Sequence, residues 1–186
     1  MSFDIDRVVR TLKPEKRTAA LTPRPRADLV AASGAAAKRP VVPDTTVYVH
    51  GGQGRLPPHV TAIVQHWPLL HCSVALGEIA HGIGRLDPSH PQTPRRRTYL
   101  ESVLRQVPQH RVITPDDDVH VSAGVLTGIL ARLLGLSDGG HRLRVNDVLI
   151  FLTARKAGAA VLTANVGDFD LLQQLVPSAD VVYYAT

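Results

Sequence analysis

The stretch from Val145 to Phe169 constrains the fold more than any other. Asn146 is a good helix N-cap, and Asp147 falls in the first turn, beside the positive helix end. Val148, Phe151, Leu152 and Arg155 recur at helical spacing, and Gly158 is suited to end that helix. Ala159 to Thr163 is a short apolar strand, and Asp168 follows in the loop past its carboxyl end. In open α/β sheets ligands bind outside that edge. Two carboxylates from different elements are therefore aimed at one crevice.

The rest of the chain repeats this alternation. Val41 to Pro43 is a β-branched run leading to Asp44, read as a first strand with the acid at its carboxyl end. Gly51-Gly52-Gln53-Gly54 reads as a flexible loop, and residues 57–67 as a helix. Leu69 to Ser73 reads as a strand, and Val74 to Arg85 as a helix carrying Glu78 about one turn in. Arg95 to Val107 is a helix, Arg111 to Thr114 a third strand, and 116–135 a helix opened by Asp116-Asp117-Asp118. Ser137-Asp138-Gly139-Gly140 is a turn. A helix near 168–175 and a last strand, Val181 to Tyr184, complete the pattern. Strands alternating with helices predict an α/β fold with a parallel sheet covered on both faces.

Charge divides the 186 residues unevenly. Residues 1–40 hold nine Lys and Arg against four Asp and Glu, whereas 41–186 hold twelve of each, so the whole excess of +5 belongs to the N-terminal arm. The arm reads as an amphipathic helix over 2–13, capped by Ser2 and presenting Ile5, Val8, Val9 and Leu12 on one face. A stiff Pro23-Arg24-Pro25-Arg26 segment follows, then a second, alanine-rich helix over 27–37 with Gly34 as its weak point. The boundary is placed at Lys38-Arg39-Pro40, giving an arm of 1–40 and a body of 41–186. The apolar face of the arm needs a partner: the body, a second subunit or another protein. Cys72 is the single cysteine, so no internal disulfide can form, which fits a reducing cytoplasm. The opening residues carry early acids and no long apolar run, so no secretory signal and no membrane span are expected.

Asp44, Glu78, Asp147 and Asp168 are four acids at strand ends or in helix-opening contexts. Converging, they repel one another and hold raised pKa values unless a cation is present. Hard oxygen ligands select Mg²⁺ or Mn²⁺, and two such ions can activate a water and stabilise a leaving oxygen in phosphodiester hydrolysis. For a lone Asp at a helix start the plainer reading is a cap, which is the reading given to Asp116-Asp117-Asp118. Arg95-Arg96-Arg97 reads as a solvated face, with contact to an RNA backbone as the alternative, Cys72 and Trp67 as core, and His50 and His81 as incidental neighbours of the crevice. The Gly51–Gly54 loop lacks the Lys-Ser/Thr ending of a phosphate loop.

Four segments, in order, resemble the PIN domain family, especially the VapC-type ribonuclease toxins of bacterial toxin–antitoxin pairs. Asp44-Thr45-Thr46-Val47 resembles the family's opening Asp-Thr-Asn/Ser-Val motif. Ser73 through Glu78 to Gly82 resembles its strand-to-helix motif, and Asn146-Asp147-Val148-Leu149-Ile150 its Asn-Asp-Ala-Leu-Ile helix start. Thr163-Ala164-Asn165-Val166-Gly167-Asp168-Phe169 is similar to its Thr-Arg-Asn-x-x-Asp-Phe signature and is the most specific of the four. The resemblance covers 41–186. It implies a three-layer α/β/α PIN-like fold with a central parallel sheet. It further implies that Asp44, Glu78, Asp147 and Asp168 are catalytic and bind Mg²⁺ or Mn²⁺, with Thr45, Thr163 and Asn165 as supporting polar groups. The implied protein is a cytoplasmic, metal-dependent endoribonuclease, a homodimer that cuts RNA and is blocked by a cognate antitoxin protein. Thr46 stands where Asn or Ser is commoner, Ala164 stands where Arg is frequent, and the arm is additional. Two other readings stand beside it. One is a PIN-like scaffold with little catalysis that binds nucleic acid or a protein partner through the basic arm; the intact quartet argues against it. The other is a flavodoxin-like phosphoacceptor or small-ligand domain, which wants a lysine near the sheet's end; it is disfavoured because the single lysine of the last forty residues, Lys156, falls inside a helix.

Overall fold

Five short parallel strands set the frame of the computed structural model, which describes residues 4–33, 37–135 and 145–186. They are β1 (Val41–Pro43), β2 (His71–Cys72), β3 (Val112–Ile113), β4 (Ala160–Thr163) and β5 (Val181–Tyr183). β1 pairs with β4 and β4 with β5, all parallel, with Val42 opposite Val161 and Leu162 opposite Val182. β2 pairs parallel with β3, and a parallel bridge between Val41 and Leu69 joins the two ladders. The order is therefore β3-β2-β1-β4-β5, not the 2-1-3-4-5 order of the flavodoxin-like alternative. The direction of winding reverses between β1 and β4, and a crevice opens at that point, outside their carboxyl ends.

The pleat divides the apolar residues between two cores. Val41, Ala160, Leu162, Val182 and Tyr184 face one side, where α3 (Thr45–Gly52) and α4 (Pro58–His66) bring Val47, Val60 and Ile63. Val42, Val161 and Tyr183 face the other. There α5 (Ser73–Gly84), α7 (Asp117–Leu133), α8 (Val145–Lys156) and α9 (Val166–Leu175) form the larger layer. The three-layer α/β/α fold expected from the motifs is the one observed. No described helix is long and apolar enough to cross a membrane.

α8 is the central helix. Every residue from Asp147 to Ala154 is buried, beyond the single face marked by Val148, Phe151, Leu152 and Arg155. A helix apolar all round belongs inside. Gly158, at φ +66°, ends it in the left-handed region that a side chain disfavours. Residues 136–144, which include the expected turn at 137–140, lie outside the described set, as do Ser2 and Gly34.

The glycine loop at 51–54 is not a loop throughout. α3 continues through Gly51 and Gly52, because Tyr99 of α6 (Thr93–Gln106) lies against them and its hydroxyl donates to the Tyr48 carbonyl at 2.7 Å. A Cβ on Gly52 would fall 2.2 Å from Tyr99 Cε1. Gly52→Ala is therefore expected to destabilise the protein by about 1–3 kcal/mol, read as a lowered thermal midpoint. A midpoint at or above wild type would refute the contact.

The arm has found its partner in the body. α1 (Ile5–Leu12) is capped by Asp4, whose carboxylate accepts from the Arg7 N–H at 2.9 Å, and buries Val8 and Leu12 in the larger core beside α7. α2 (Arg26–Ser33) adds Leu29 and packs on β5 and α9. Burying three such side chains contributes about 1.5–3 kcal/mol each. At the outer edge of β5, the Tyr183 N–H donates to Ser33 Oγ at 2.8 Å.

Candidate active site

The crevice is built from the ends of four elements. Asp44 follows β1 directly and caps α3, and its N–H donates to the Leu162 carbonyl at 2.9 Å, tying it to the neighbouring strand. Its side chain is 2% exposed. Oδ1 accepts from the Thr45 N–H at 2.6 Å, and Oδ2 accepts from the hydroxyls of Thr46 at 2.9 Å and Thr163 at 2.8 Å. Burial raises its pKa above the ordinary carboxylate value, and these hydrogen bonds oppose the rise without cancelling it.

Glu78 lies in the second turn of α5. It accepts from the Thr45 hydroxyl and, through Oε1, from Asn146 Nδ2 at 2.9 Å. Asn146 is thus not the expected cap. α8 begins at Val145, and the Asn146 amide reaches across to Glu78 instead. Asp147, 5% exposed, sits in the first turn of α8. Asp168 lies not in a loop but in the first turn of α9, which starts at Val166. Asn165 bridges these two acids, its Nδ2 standing 3.3 Å from Asp147 Oδ2 and 2.8 Å from Asp168 Oδ2.

These bonds form one network. The Asn165 N–H donates to Thr163 Oγ1 at 2.9 Å, Thr163 donates to Asp44, and Asp44 holds Thr45, which holds Glu78. Every acid and every supporting polar residue singled out in the sequence belongs to it. Asp44, Glu78, Asp147 and Asn165 line a cavity of about 840 Å³; Asp168 stands behind Asn165.

His50 and His81, expected as neighbours of the crevice, line the cavity, and so does Arg85, which the sequence reading did not single out. His50 Nδ1 lies 3.0 Å from the Tyr184 hydroxyl; burial lowers its pKa, Arg55 lowers it further and Asp44 opposes. Arg85, just past the end of α5, stands seven residues after Glu78, and that helical spacing is the sequence signal that could have placed it.

The donor set is chemically suited to a hard divalent cation: carboxylate and hydroxyl oxygens around a desolvated acid. No three His, Cys, Asp or Glu side chains among the described residues are gathered closely enough to hold an ion. Thr45 and Asn146 keep Glu78 engaged, and Asn165 keeps Asp168 and Asp147 engaged.

The three-layer α/β/α fold, PIN-like in its architecture, is shared with chains of solved toxin–antitoxin structures. It resembles a chain of VapBC2 from Rickettsia felis, crystallised with a DNA fragment from their promoter, at 16% identity and a TM-score of 0.54, covering 79% of this chain and 100% of that one. It resembles a chain of VapBC-5 from Mycobacterium tuberculosis at 21% identity and a TM-score of 0.53, covering 78% and 98%. It also resembles a chain of FitAcB from Neisseria gonorrhoeae at 16% identity and a TM-score of 0.54, covering 77% and 96%. No protein-family model and no curated protein matches the sequence.

Proposed function

We propose that this protein is a Mg²⁺- or Mn²⁺-dependent endoribonuclease and the toxin of a toxin–antitoxin pair, with a cognate antitoxin as its partner and a homodimer as its assembly. The observation that carries this reading is the single hydrogen-bonded network joining Asp44, Glu78, Asp147 and Asp168 at the sheet's switch point. The likeness to chains of VapBC complexes supports the antitoxin partner.

Asp44, Glu78 and Asp147, with Asp168 behind Asn165, would hold the ions. When bound, they supply a water of lowered pKa and positive potential for the phosphate. The chain's own part is orientation and proton handling. Thr163 and Thr46 fix the position of Asp44 and favour its charged form against the cost of burial. Asn165 sets the spacing of Asp147 and Asp168. A carboxylate of the group accepts the attacking water's proton.

The scaffold reading, in which the arm is the binding device, is weakened by the arm's own bonds. Arg7 pairs with Asp118, Arg24 with Asp170 and Arg39 with Asp180, so these cations serve the fold.

The experiment is cleavage of a mixed RNA pool by the purified protein with Mn²⁺ or with EDTA, alongside thermal melting in both. Cleavage only with Mn²⁺ is expected. At about one hundred times its Kd, Mn²⁺ should also add about 2.7 kcal/mol of stability. A folded protein with neither response would overturn the reading.

A further inference from the structure

The basic arm places beside the crevice a cation that the fold does not use, Arg26. Pro23 to Arg26 runs beside the candidate active site, where Arg24 and Arg26 help line a second hollow, of about 310 Å³, together with Asn165 and Gly167. Asn165 also lines the main cavity, so its side chain belongs to the walls of both hollows. Arg24 is fixed there: its backbone N–H donates to Asp170 Oδ2 at 2.8 Å and its Nε to Oδ1 at 2.6 Å, with Gln173 accepting a third bond at 2.7 Å. Arg26, two residues on, opens α2 and is exposed, and its guanidinium meets no acceptor among the described residues. On the main cavity wall stands Arg85, equally without an acceptor.

An arginine seated by a buried anchor, beside a crevice read as hydrolysing phosphodiesters, has a specific use. Asp44 and Asp147 lie at the crevice floor. A single strand can turn its backbone into such a hollow, whereas a duplex keeps its phosphates on a rigid outer surface. We propose that the arm is part of the substrate-binding surface: Arg26 takes a backbone phosphate of a single-stranded RNA that crosses the crevice between Arg85 and Asn165. This rests on the nuclease reading above and adds to it which part of the chain holds the substrate. A planar guanidinium free of carboxylate partners suits a phosphate's paired oxygens.

The test uses the full-length protein and a fluorescently labelled, unstructured twelve-nucleotide RNA, with binding followed by anisotropy in EDTA across a salt series. Arg26→Ala should weaken binding about threefold to tenfold and lower the slope of log K against log salt by about 0.7, the loss of one phosphate contact on a single strand. Arg26→Lys should keep that slope, and Arg39→Ala, whose side chain pairs with Asp180, should match wild type. In Mn²⁺, Arg26→Ala should raise KM by the same factor with kcat unchanged. Its melting temperature should not move, since the side chain supports nothing in the fold. Wild-type affinity and slope in Arg26→Ala would overturn the proposal even where Mn²⁺-dependent cleavage is present, as would an arm that serves only an acidic protein partner. RNA binding that depends on Arg26 in a protein that never cleaves would instead refute the nuclease reading and leave the binding surface standing.

Discussion

Asp147→Asn is expected to lower Mn²⁺-dependent RNA cleavage by at least about a hundredfold while leaving the fold intact; loss of supporting residues around metal ligands already costs 10–100-fold. The substitution preserves shape. Asn165 Nδ2 keeps an acceptor, because the asparagine oxygen can take the place of Asp147 Oδ2, now 3.3 Å away. What disappears is one negative charge from a group of four. Without metal, that removal relieves repulsion, so the melting temperature should hold or rise. The stabilisation gained on adding Mn²⁺ should shrink or vanish. Cleavage and melting, each with and without Mn²⁺, separate the effects. Undiminished cleavage would remove Asp147 from the metal site, and a collapsed melting curve in EDTA would make it a structural acid instead.

Arg24→Ala is expected to cost about 3 kcal/mol of stability, the lower end for breaking a buried ion pair, because Arg24 is itself 45% exposed. Asp170 is 1% exposed and would keep Gln174 Nε2, at 3.0 Å, and the backbone N–H of residue 24 as donors, but no neutralising charge. For a chain of this size the midpoint should fall by about 6–12 °C. Adding Asp170→Asn, which discharges the stranded carboxylate, should recover part of the loss. A midpoint within about 1 °C of wild type would show that the arm is held by its apolar contacts alone.

Much of this architecture could be read from the chain. The strands ending at Pro43 and Thr163 announced themselves by β-branched and apolar residues, and an acid directly after a strand, Asp44, needed no tertiary knowledge to be placed at the sheet's edge. The four motifs likewise indicated a PIN-like order of elements. What escaped depends on contacts distant in sequence. Gly51 and Gly52 look like a loop until Tyr99 is laid against them. Asn146 looks like a cap because nothing local reveals that Glu78, 68 residues earlier, is within reach of its amide. Asp170 sits two residues past Asp168 in the same helix and drew no notice, since its partner Arg24 is 146 residues away. The arm's docking was unreadable for the same reason: amphipathicity shows that α1 must cover something, never what.

The bond from the Tyr183 N–H to Ser33 Oγ has a consequence for assembly. Tyr184 donates inward to Thr163, so the Tyr183 N–H points to the outer side of β5, where a further strand would pair. With Ser33 occupying that donor and α2 packed along the strand, this margin of the sheet is capped like the last plank of a floor against a wall. A protein that joined by lending a strand would have to peel α2 away before it could bind here. Recognition on this side must therefore proceed through side chains on the helices, and edge-to-edge polymerisation through β5 is closed to the folded chain.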